Sequence, residues 1–158
     1  MERMICVNVI FLDIDGVLNP YPNQRQNMEA GTDDTSVLKL DSKCMKVLKR
    51  IIEKTGAKLV LSLNWRCEEW YGGFASKENV ERQLQEYGMG LLDSTPVLPV
   101  YDRGKEILCY LQEHPEVEKF LILDDDRSVG RYEELKEHFL RTDPEVGLAG
   151  INIRKIKL

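Results

Sequence analysis

The chain has 158 residues, a length that suits one domain with one substantial hydrophobic core. It is 42% hydrophobic and 31% charged, as an ordinary globular protein is, and no apolar run approaches the roughly 20 residues that a membrane span needs. The net charge of -5 argues against extensive binding of duplex nucleic acid, although a local basic pocket for one phosphate is compatible with it.

Cysteine usage and the N-terminus indicate a cytoplasmic protein. The four cysteines are widely spaced and form no CxxC pair, so neither a zinc site nor a disulfide framework is indicated: Cys6, Cys44, Cys67 and Cys109. The short apolar stretch after the N-terminus ends in two acidic residues and has no small-residue cleavage site. We therefore expect a core strand there and not a signal peptide. The oligomeric state cannot be predicted from these features.

The first elements in chain order are a strand, a polar insertion and a helix. The β-branched run Val7–Leu12 predicts a buried strand. Residues 19–40 are polar and contain prolines and a glycine, which favours a loop, flap or short hairpin. Asp41-Ser42 offers an N-cap for a helix with apolar residues at helical spacing, and Gly56 ends it.

The second half of the chain repeats this alternation. Ala57–Leu61 predicts another buried strand, which ends at Ser62. Residues 67–100 form a second insertion, which we interpret as one helix plus loops. The remaining predicted elements are helix Gly104–Glu113, strand Phe120–Leu123, helix Ser128–His138 and strand Phe139–Arg141.

Strands that alternate with helices predict an α/β domain over residues 1–158. Its fold would be a three-layer, Rossmann-like parallel sheet with helices on both faces. Ligands bind such sheets outside the carboxyl ends of the strands. Three predicted strands end at Asp13, Ser62 and Asp124, so the candidate chemistry is expected at one edge of one sheet.

The pair Asp13 and Asp15 is the strongest candidate for chemistry. Residues two apart point to opposite faces of a strand, but Gly16 allows a sharp turn that brings the second carboxylate back. Paired carboxylates repel each other as anions, so a cation or a retained proton is needed nearby. A hard divalent cation with oxygen ligands meets this need, and Mg²⁺ also accompanies phosphates. A simple capped turn is the alternative.

The stretch Asp13-Ile14-Asp15-Gly16-Val17-Leu18 resembles the first motif of the haloacid dehalogenase-like (HAD) phosphatase superfamily. The resemblance implies that Asp13 attacks phosphorus and forms an aspartyl-phosphate. It also implies that Asp15 protonates the leaving oxygen and later activates water, while its backbone carbonyl helps to bind Mg²⁺. Covalent catalysis of this kind divides one difficult displacement into two easier ones.

Three later sites resemble the remaining motifs of this superfamily, in the same order. Ser62 would donate to a phosphoryl oxygen, although it could equally be a helix N-cap. Arg103 or Lys105 would neutralise the phosphoryl group. Arg103 is preferred, and Lys105 stays open because lysine is the commoner residue type there. Asp124 and Asp125 would complete the magnesium site, with Asp125 as a direct ligand and Asp124 as a ligand or orienting group.

The chain resembles more specifically the HAD group found as stand-alone bacterial proteins and as modules similar to Swiss Army Knife RNA-repair proteins. The shared residues are Ser62, Trp65-Arg66, Arg103-Gly104-Lys105-Glu106-Ile107, Leu123-Asp124-Asp125 and Gly147-Leu148. This resemblance implies a core without a large cap, hence an open phosphate pocket. Asn64 and Arg66 would then bind substrate. Leu63-Asn64 stands where the group tends to have small hydroxyl residues. This difference affects the expected details of the phosphate loop but not the assignment of the nucleophile.

The substrate is left open by the sequence. A nucleic-acid end, held by one phosphate and one or two bases, fits a capless site, and Trp65 or Trp70 could stack on a base if they do not simply pack in the core. A sugar phosphate or nucleotide phosphatase is the first alternative. A catalytically weak HAD scaffold that acts as an interaction module is the second. A receiver domain is disfavoured, because its acceptor aspartate and paired acids lie on different strands.

Overall fold

A computed structural model of the chain describes residues 4–31, 38–62 and 77–158. Its strands are β1 (Val7–Leu12), β2 (Lys58–Leu61), β3 (Leu91–Ser94), β4 (Val117–Asp124) and β5 (Phe139–Arg141). Its α-helices are α1 (Tyr21–Glu29), α2 (Ser42–Thr55), α3 (Lys77–Glu86), α4 (Arg103–Glu113) and α5 (Glu133–Lys136). Short 3₁₀ helices cover Arg127–Arg131, Gly147–Gly150 and Ile153–Lys155.

The five strands form one parallel sheet in the order β3-β2-β1-β4-β5. The central strand β1 pairs with β2 and β4 and ends in register with both, because Leu12 faces Leu61 on one side and Leu123 on the other. Three parallel strands therefore end side by side. The residue that follows each last partner is polar: Asp13, Ser62 and Asp124.

The two faces of β1 pack into two separate hydrophobic clusters. Ile10 and Leu12 belong to a cluster that includes residues of α2 and α3. Val9 and Phe11 belong to the other, with residues of α4 and Val129 of the following 3₁₀ helix. The alternation of side chains along a strand explains this division. It confirms the predicted three-layer α/β architecture with helices on both faces of the sheet.

Helix α2 begins and ends as its sequence signals predict. The Asp41 carboxylate accepts a hydrogen bond from the backbone nitrogen of Cys44 at 2.9 Å, which satisfies one unpaired donor of the first turn. Gly56 follows the helix with a φ of 65°, a left-handed conformation that glycine adopts without steric cost. Hydrophobic residues of the helix then face the sheet.

Residues 19–40, predicted as a loop, flap or short hairpin, contain the helix α1. This helix has no buried residue and is mostly polar, so it lacks the apolar periodicity from which a helix is predicted. Side chains of Asn23 and Asn27 donate to the backbone oxygen of Lys39 at 2.8 and 2.9 Å. Hydrogen bonds of this kind, not hydrophobic burial, attach the helix to the domain.

Two further differences concern short elements. The insertion over residues 67–100 contains the edge strand β3 in addition to the predicted helix. This strand was not predicted, because a strand of four residues with two leucines shows no clear hydrophobic alternation. The predicted helix Ser128–His138 is divided into a 3₁₀ helix and α5, with Tyr132 in an extended conformation between them. Within the three described ranges, no helix is long and apolar enough to cross a membrane.

Candidate active site at the carboxyl edge of the sheet

The chain turns sharply at the end of β1 and places Asp13 between two neighbouring strands. The backbone nitrogen of Asp13 donates to the oxygen of Leu123 at 3.1 Å, which extends the ladder with β4 by one residue. The Asp13 side chain is buried. After Ile14, the backbone nitrogens of Val17 and Leu18 return to the Ile14 oxygen at 3.1 and 2.9 Å and close the turn.

Gly16 is required in this turn for two reasons. Its φ of 78° lies in the left-handed region, which side chains other than glycine rarely adopt. A Cβ atom at this position would lie 2.2 Å from Oδ2 of Asp125. The missing side chain therefore allows the carboxylate of Asp125 to approach the first turn. The buried hydroxyl of Thr142 donates to the Gly16 oxygen at 2.9 Å and holds the turn in place.

Three carboxylates meet at this edge of the sheet. One oxygen from each of Asp13, Asp124 and Asp125 lies within 4.8 Å of the other two, and the first two side chains are buried. Burial raises the pKa of Asp13 well above its usual value, and the charge of Asp124 raises it further, while Arg103 lowers it. Burial likewise raises the pKa of Asp124 to about 6 and that of Asp125 above its usual value.

Arg103, the first residue of α4, lies beside two of these carboxylates. Its guanidinium is 3.6 Å from Oδ1 of Asp13 and 3.1 Å from Oδ2 of Asp124, and only 3% of the residue is exposed. Burial lowers the pKa of Arg103, but the charges of Asp13 and Asp124 raise it by more. The arginine therefore stays protonated and offsets part of the negative charge.

Ser62 completes this group from the end of β2. Its backbone oxygen and its hydroxyl both face the Arg103 guanidinium, the hydroxyl at 3.2 Å. The side chain is fully buried. The structure thus brings Asp13, Ser62, Arg103, Asp124 and Asp125 together, although they are spread over more than a hundred residues of sequence.

Lys105, the alternative cation, is placed differently. Its residue is exposed on α4, and its backbone nitrogen donates to the carboxylate of Asp102 at 3.1 Å as part of a helix N-cap. Side chains two residues apart in a helix point to different faces. Since Arg103 points into the carboxylate cluster, the geometry favours Arg103 over Lys105 as the cation of the site.

Asp15 stands apart from the three-carboxylate cluster. Its residue is exposed, and Oδ1 accepts a hydrogen bond from the amide of Asn19 at 2.9 Å. Loss of solvation raises its pKa above the usual value, while the bond from Asn19 lowers it. The second acid of the pair is therefore oriented by a neighbouring side chain, while solvent or a ligand can still reach it.

Three residues around the site were not predicted from the sequence as site residues. Asn19 orients Asp15, Thr142 holds the Gly16 carbonyl, and Tyr101 has its ring centroid 5.7 Å from the Arg103 guanidinium carbon. The Tyr101 hydroxyl also donates to Asp126 at 2.8 Å. Thr142 could have been identified, because it is a polar residue directly after the predicted strand Phe139–Arg141, like the other strand-end residues.

The predicted substrate-binding residues Asn64 and Arg66 lie outside the described ranges, as do Trp65 and Trp70. Asp126, which follows the two acidic residues of the site, lies at the start of a helix. Its carboxylate accepts a hydrogen bond from the Ser128 nitrogen at 2.8 Å and begins the 3₁₀ helix Arg127–Arg131.

The donor set suits a hard divalent cation. Within the described ranges, three carboxylates outnumber the one guanidinium beside them, so this group of residues keeps a negative charge when all are ionised. Oδ2 of Asp124 is buried and, among the residues that the structure describes, accepts no aligned hydrogen bond despite its proximity to Arg103. Carboxylate oxygens in such an arrangement are the ligands that Mg²⁺ takes in proteins, so the residues fit this ion.

Comparison with known proteins gives one finding. The family described as the HAD domain in Swiss Army Knife RNA repair proteins matches residues 9–152, from the start of β1 to beyond the last strand. No curated protein and no solved structure gives a significant match. The match covers all the strand-end residues that form the site. The chain therefore belongs to the family of HAD domains found in Swiss Army Knife RNA repair proteins.

Proposed function

We propose that the chain is a magnesium-dependent phosphomonoester hydrolase that works through an aspartyl-phosphate intermediate. The observation that carries this proposal is the meeting of Asp13, Asp124, Asp125 and Arg103 at the carboxyl edge of the sheet. Groups of opposite charge with shifted pKa values, buried together at a ligand-binding edge, are typical of catalytic sites. The family to which the chain belongs supports the same reaction type.

Asp13 is the proposed nucleophile. A carboxylate oxygen of Asp13 forms a bond to phosphorus while the bond from phosphorus to the leaving oxygen breaks. The Arg103 guanidinium beside Asp13 favours the ionised carboxylate and so opposes part of the rise in pKa that burial causes, and the same guanidinium can neutralise an incoming phosphoryl oxygen. The hydroxyl of Ser62, 3.2 Å from Arg103, is placed to donate to another phosphoryl oxygen.

Asp15 is the proposed proton shuttle. In the first step its protonated carboxyl gives a proton to the leaving oxygen, so that an alcohol departs. In the second step the carboxylate takes a proton from a water molecule that attacks phosphorus, which releases inorganic phosphate and restores Asp13. An exposed carboxyl with a raised pKa, oriented by Asn19, suits both steps.

Asp13, Asp124, Asp125 and the backbone oxygen of Asp15 are the proposed ligands of Mg²⁺. Bound there, the ion supplies positive charge to the phosphoryl oxygens and to the transition state. Arg103 holds Asp13 and Asp124 in position from the opposite side. The substrates that fit an open, capless site are phosphorylated nucleic-acid ends, with nucleotides and other small phosphate esters as the alternative class.

The test is hydrolysis of a chromogenic aryl phosphate by the purified protein with Mg²⁺ and with a chelator. We expect activity with the metal that is lost in the Asp13→Asn variant, while circular dichroism shows that the variant is folded. Asp41→Asn is the matched control, because asparagine also caps helices well and Asp41 lies at the start of α2. Activity that survives Asp13→Asn would exclude Asp13 as the nucleophile.

The class of substrate is tested by a panel of 3′- and 5′-phosphorylated oligonucleotides, mononucleotides and sugar phosphates. Preference for oligonucleotide ends, measured as kcat/KM, would support the RNA-end proposal. Preference for a mononucleotide or sugar phosphate would support the small-molecule alternative. Folded protein without turnover of any substrate in the panel would favour the interaction module.

A further inference from the structure

A cleft of about 360 Å³ lies next to the candidate active site and is lined by two arginines. Its lining residues are Arg127, Arg141, Thr142 and Asp143. Both arginines are exposed. Two cations in one cleft are notable in a chain whose net charge is -5, because most surfaces of such a protein repel anions.

The cleft is coupled directly to the carboxylate cluster. Arg141 ends β5 and pairs in register with Asp124, so both lie at the same edge of the sheet. Its Nε donates to the backbone oxygen of Asp125 at 3.2 Å. Thr142, in the same cleft, holds the Gly16 carbonyl of the first turn. A group bound between the two arginines is therefore a neighbour of a group bound at Asp13.

The two guanidinium groups have donors left for a ligand. In the part of the chain that the structure describes, no hydrogen bond or ion pair holds the side chain of Arg127, and Arg141 uses only Nε. The adjacent acids have other partners. Asp126 accepts from Ser128 and Tyr101, and Asp143 accepts from the backbone nitrogen of Glu145 at 2.9 Å.

We propose that Arg127 and Arg141 form a subsite for a second phosphate group of the substrate. Guanidinium groups present planar pairs of donors that match phosphate oxygens, and their charge offsets the repulsion between that phosphate and the carboxylate cluster. The preferred substrate then carries a phosphate beside the one that is hydrolysed. This inference rests on the proposed function, since the first phosphate is assigned to Asp13 and Arg103.

Two sources supply this chemistry, and the experiment separates them. One is a nucleoside bisphosphate, in which the second group is a phosphomonoester. The other is the end of a nucleic-acid strand, in which the second group is a phosphodiester. The probes are adenosine 3′- and 5′-monophosphate, adenosine 3′,5′-bisphosphate, and a diadenosine dinucleotide with a terminal phosphate at either end.

Binding is measured by calorimetry with Mg²⁺ on the Asp13→Asn protein, so that the ligand is not consumed. We expect at least one of the two-phosphate probes to bind about tenfold more tightly than the monophosphates, as a charge-assisted contact of ordinary strength provides. Arg127→Ala in this background should remove most of the difference and leave monophosphate binding unchanged. Arg141→Gln should act in the same direction.

Arg50→Ala is the matched control, because Arg50 is an exposed arginine on α2 and its removal changes the net charge equally. The difference should persist in this variant and should shrink as the salt concentration rises. Equal affinity for probes with one and two phosphates would overturn the subsite. A difference that survives Arg127→Ala combined with Arg141→Gln would also overturn it.

Hydrolysis by the wild-type chain distinguishes failure of the subsite from failure of the proposed function. If the wild-type chain hydrolyses none of the probes while the arginine-dependent difference in affinity remains, the subsite stands and the hydrolase assignment falls. If the chain hydrolyses the monophosphates and two-phosphate probes equally well, with no difference in affinity, the hydrolase assignment stands and the subsite falls.

Discussion

Aspartates at the ends of strands differ from aspartates at the starts of helices in this molecule. Asp13, Asp124 and Asp125 lie within 4.8 Å of one another, and burial raises the pKa of each. At the helix starts, desolvation also raises the pKa of Asp102 and Asp126, but hydrogen bonds from Tyr132 and Ser128 outweigh it and lower both pKa values.

The comparison shows which acids stabilise the fold and which are held in place by it. A helix N-terminus offers unpaired N–H groups and a partial positive charge, so an aspartate there gains on folding. The strand-end carboxylates are instead pressed together by the alignment of β1 with β4, at a cost in free energy. Such a costly arrangement is typical of carboxylates that bind a cation or take part in a reaction. Four predictions test this difference between strand-end and helix-start aspartates.

The largest effect is expected for the second acid of the first turn. Asp15→Asn should lower kcat/KM by about 10²–10⁴ on an alkyl phosphate, because the leaving oxygen then receives no proton. The loss on an aryl phosphate with a good leaving group should be much smaller. Steady-state kinetics on both substrates measure this split. Equal losses on the two substrates would contradict the role of Asp15 as the acid.

The second prediction concerns the cation of the cluster. Arg103→Met leaves two buried carboxylates without their partner and should destabilise the metal-free protein by about 3–5 kcal/mol. Lys105→Met removes an exposed charge from the same helix and should change stability by less than about 0.5 kcal/mol. Urea denaturation compares the two variants. Similar effects of both would mean that Arg103 is not the residue that holds the carboxylates together.

The third prediction compares two glycines with similar backbone conformations. Gly16 has a φ of 78° and Gly56 has a φ of 65°, but a Cβ atom meets Asp125 at 2.2 Å in the first case and nothing within 4 Å in the second. Gly56→Ala should therefore cost about 1–2 kcal/mol, from the backbone alone. Gly16→Ala should cost more and should also weaken Mg²⁺ binding. Calorimetric titration with Mg²⁺ and denaturation of both variants measure the difference.

The smallest effect is the dependence of metal binding on pH. The folded cluster retains protons that the unfolded chain has already lost, so the stability contributed by Asp124 falls as the pH rises from its ordinary pKa of 3.8 to about 6. Protons compete with Mg²⁺ over this interval. At ten times the Kd, Mg²⁺ should stabilise the protein by about 1.4 kcal/mol at pH 7.5 and by less at pH 5.

Thermal unfolding with and without Mg²⁺ at the two pH values measures this effect. Asp125→Asn removes one proposed ligand and should reduce the stabilisation by the metal, whereas Asp102→Asn at the start of α4 should retain it. Equal stabilisation at both pH values would show that the cation does not displace protons from the cluster.

The sequence by itself determined the architecture and the position of most candidate site residues at one edge of the sheet. Short apolar runs typical of buried parallel strands end at Asp13, Ser62 and Asp124. Because parallel strands place their carboxyl ends at one edge of the sheet, these residues are expected to lie together. The capping signals at Asp41 and Gly56 are local, because they depend on hydrogen bonds within one turn. Patterns of this kind can be predicted since their physical causes lie within a few residues.

Only the tertiary structure shows that Arg103 lies beside the carboxylates while Lys105 is exposed, because this difference depends on which face of α4 meets the sheet. It also revealed the polar helix α1, which has no buried side chain, and the edge strand β3. The contacts of Arg141 with Asp125, and of Thr142 with Gly16, join residues brought together by the pairing of β5 with β4. Contacts made across a sheet edge depend on the register of distant strands, which local patterns in the sequence do not contain.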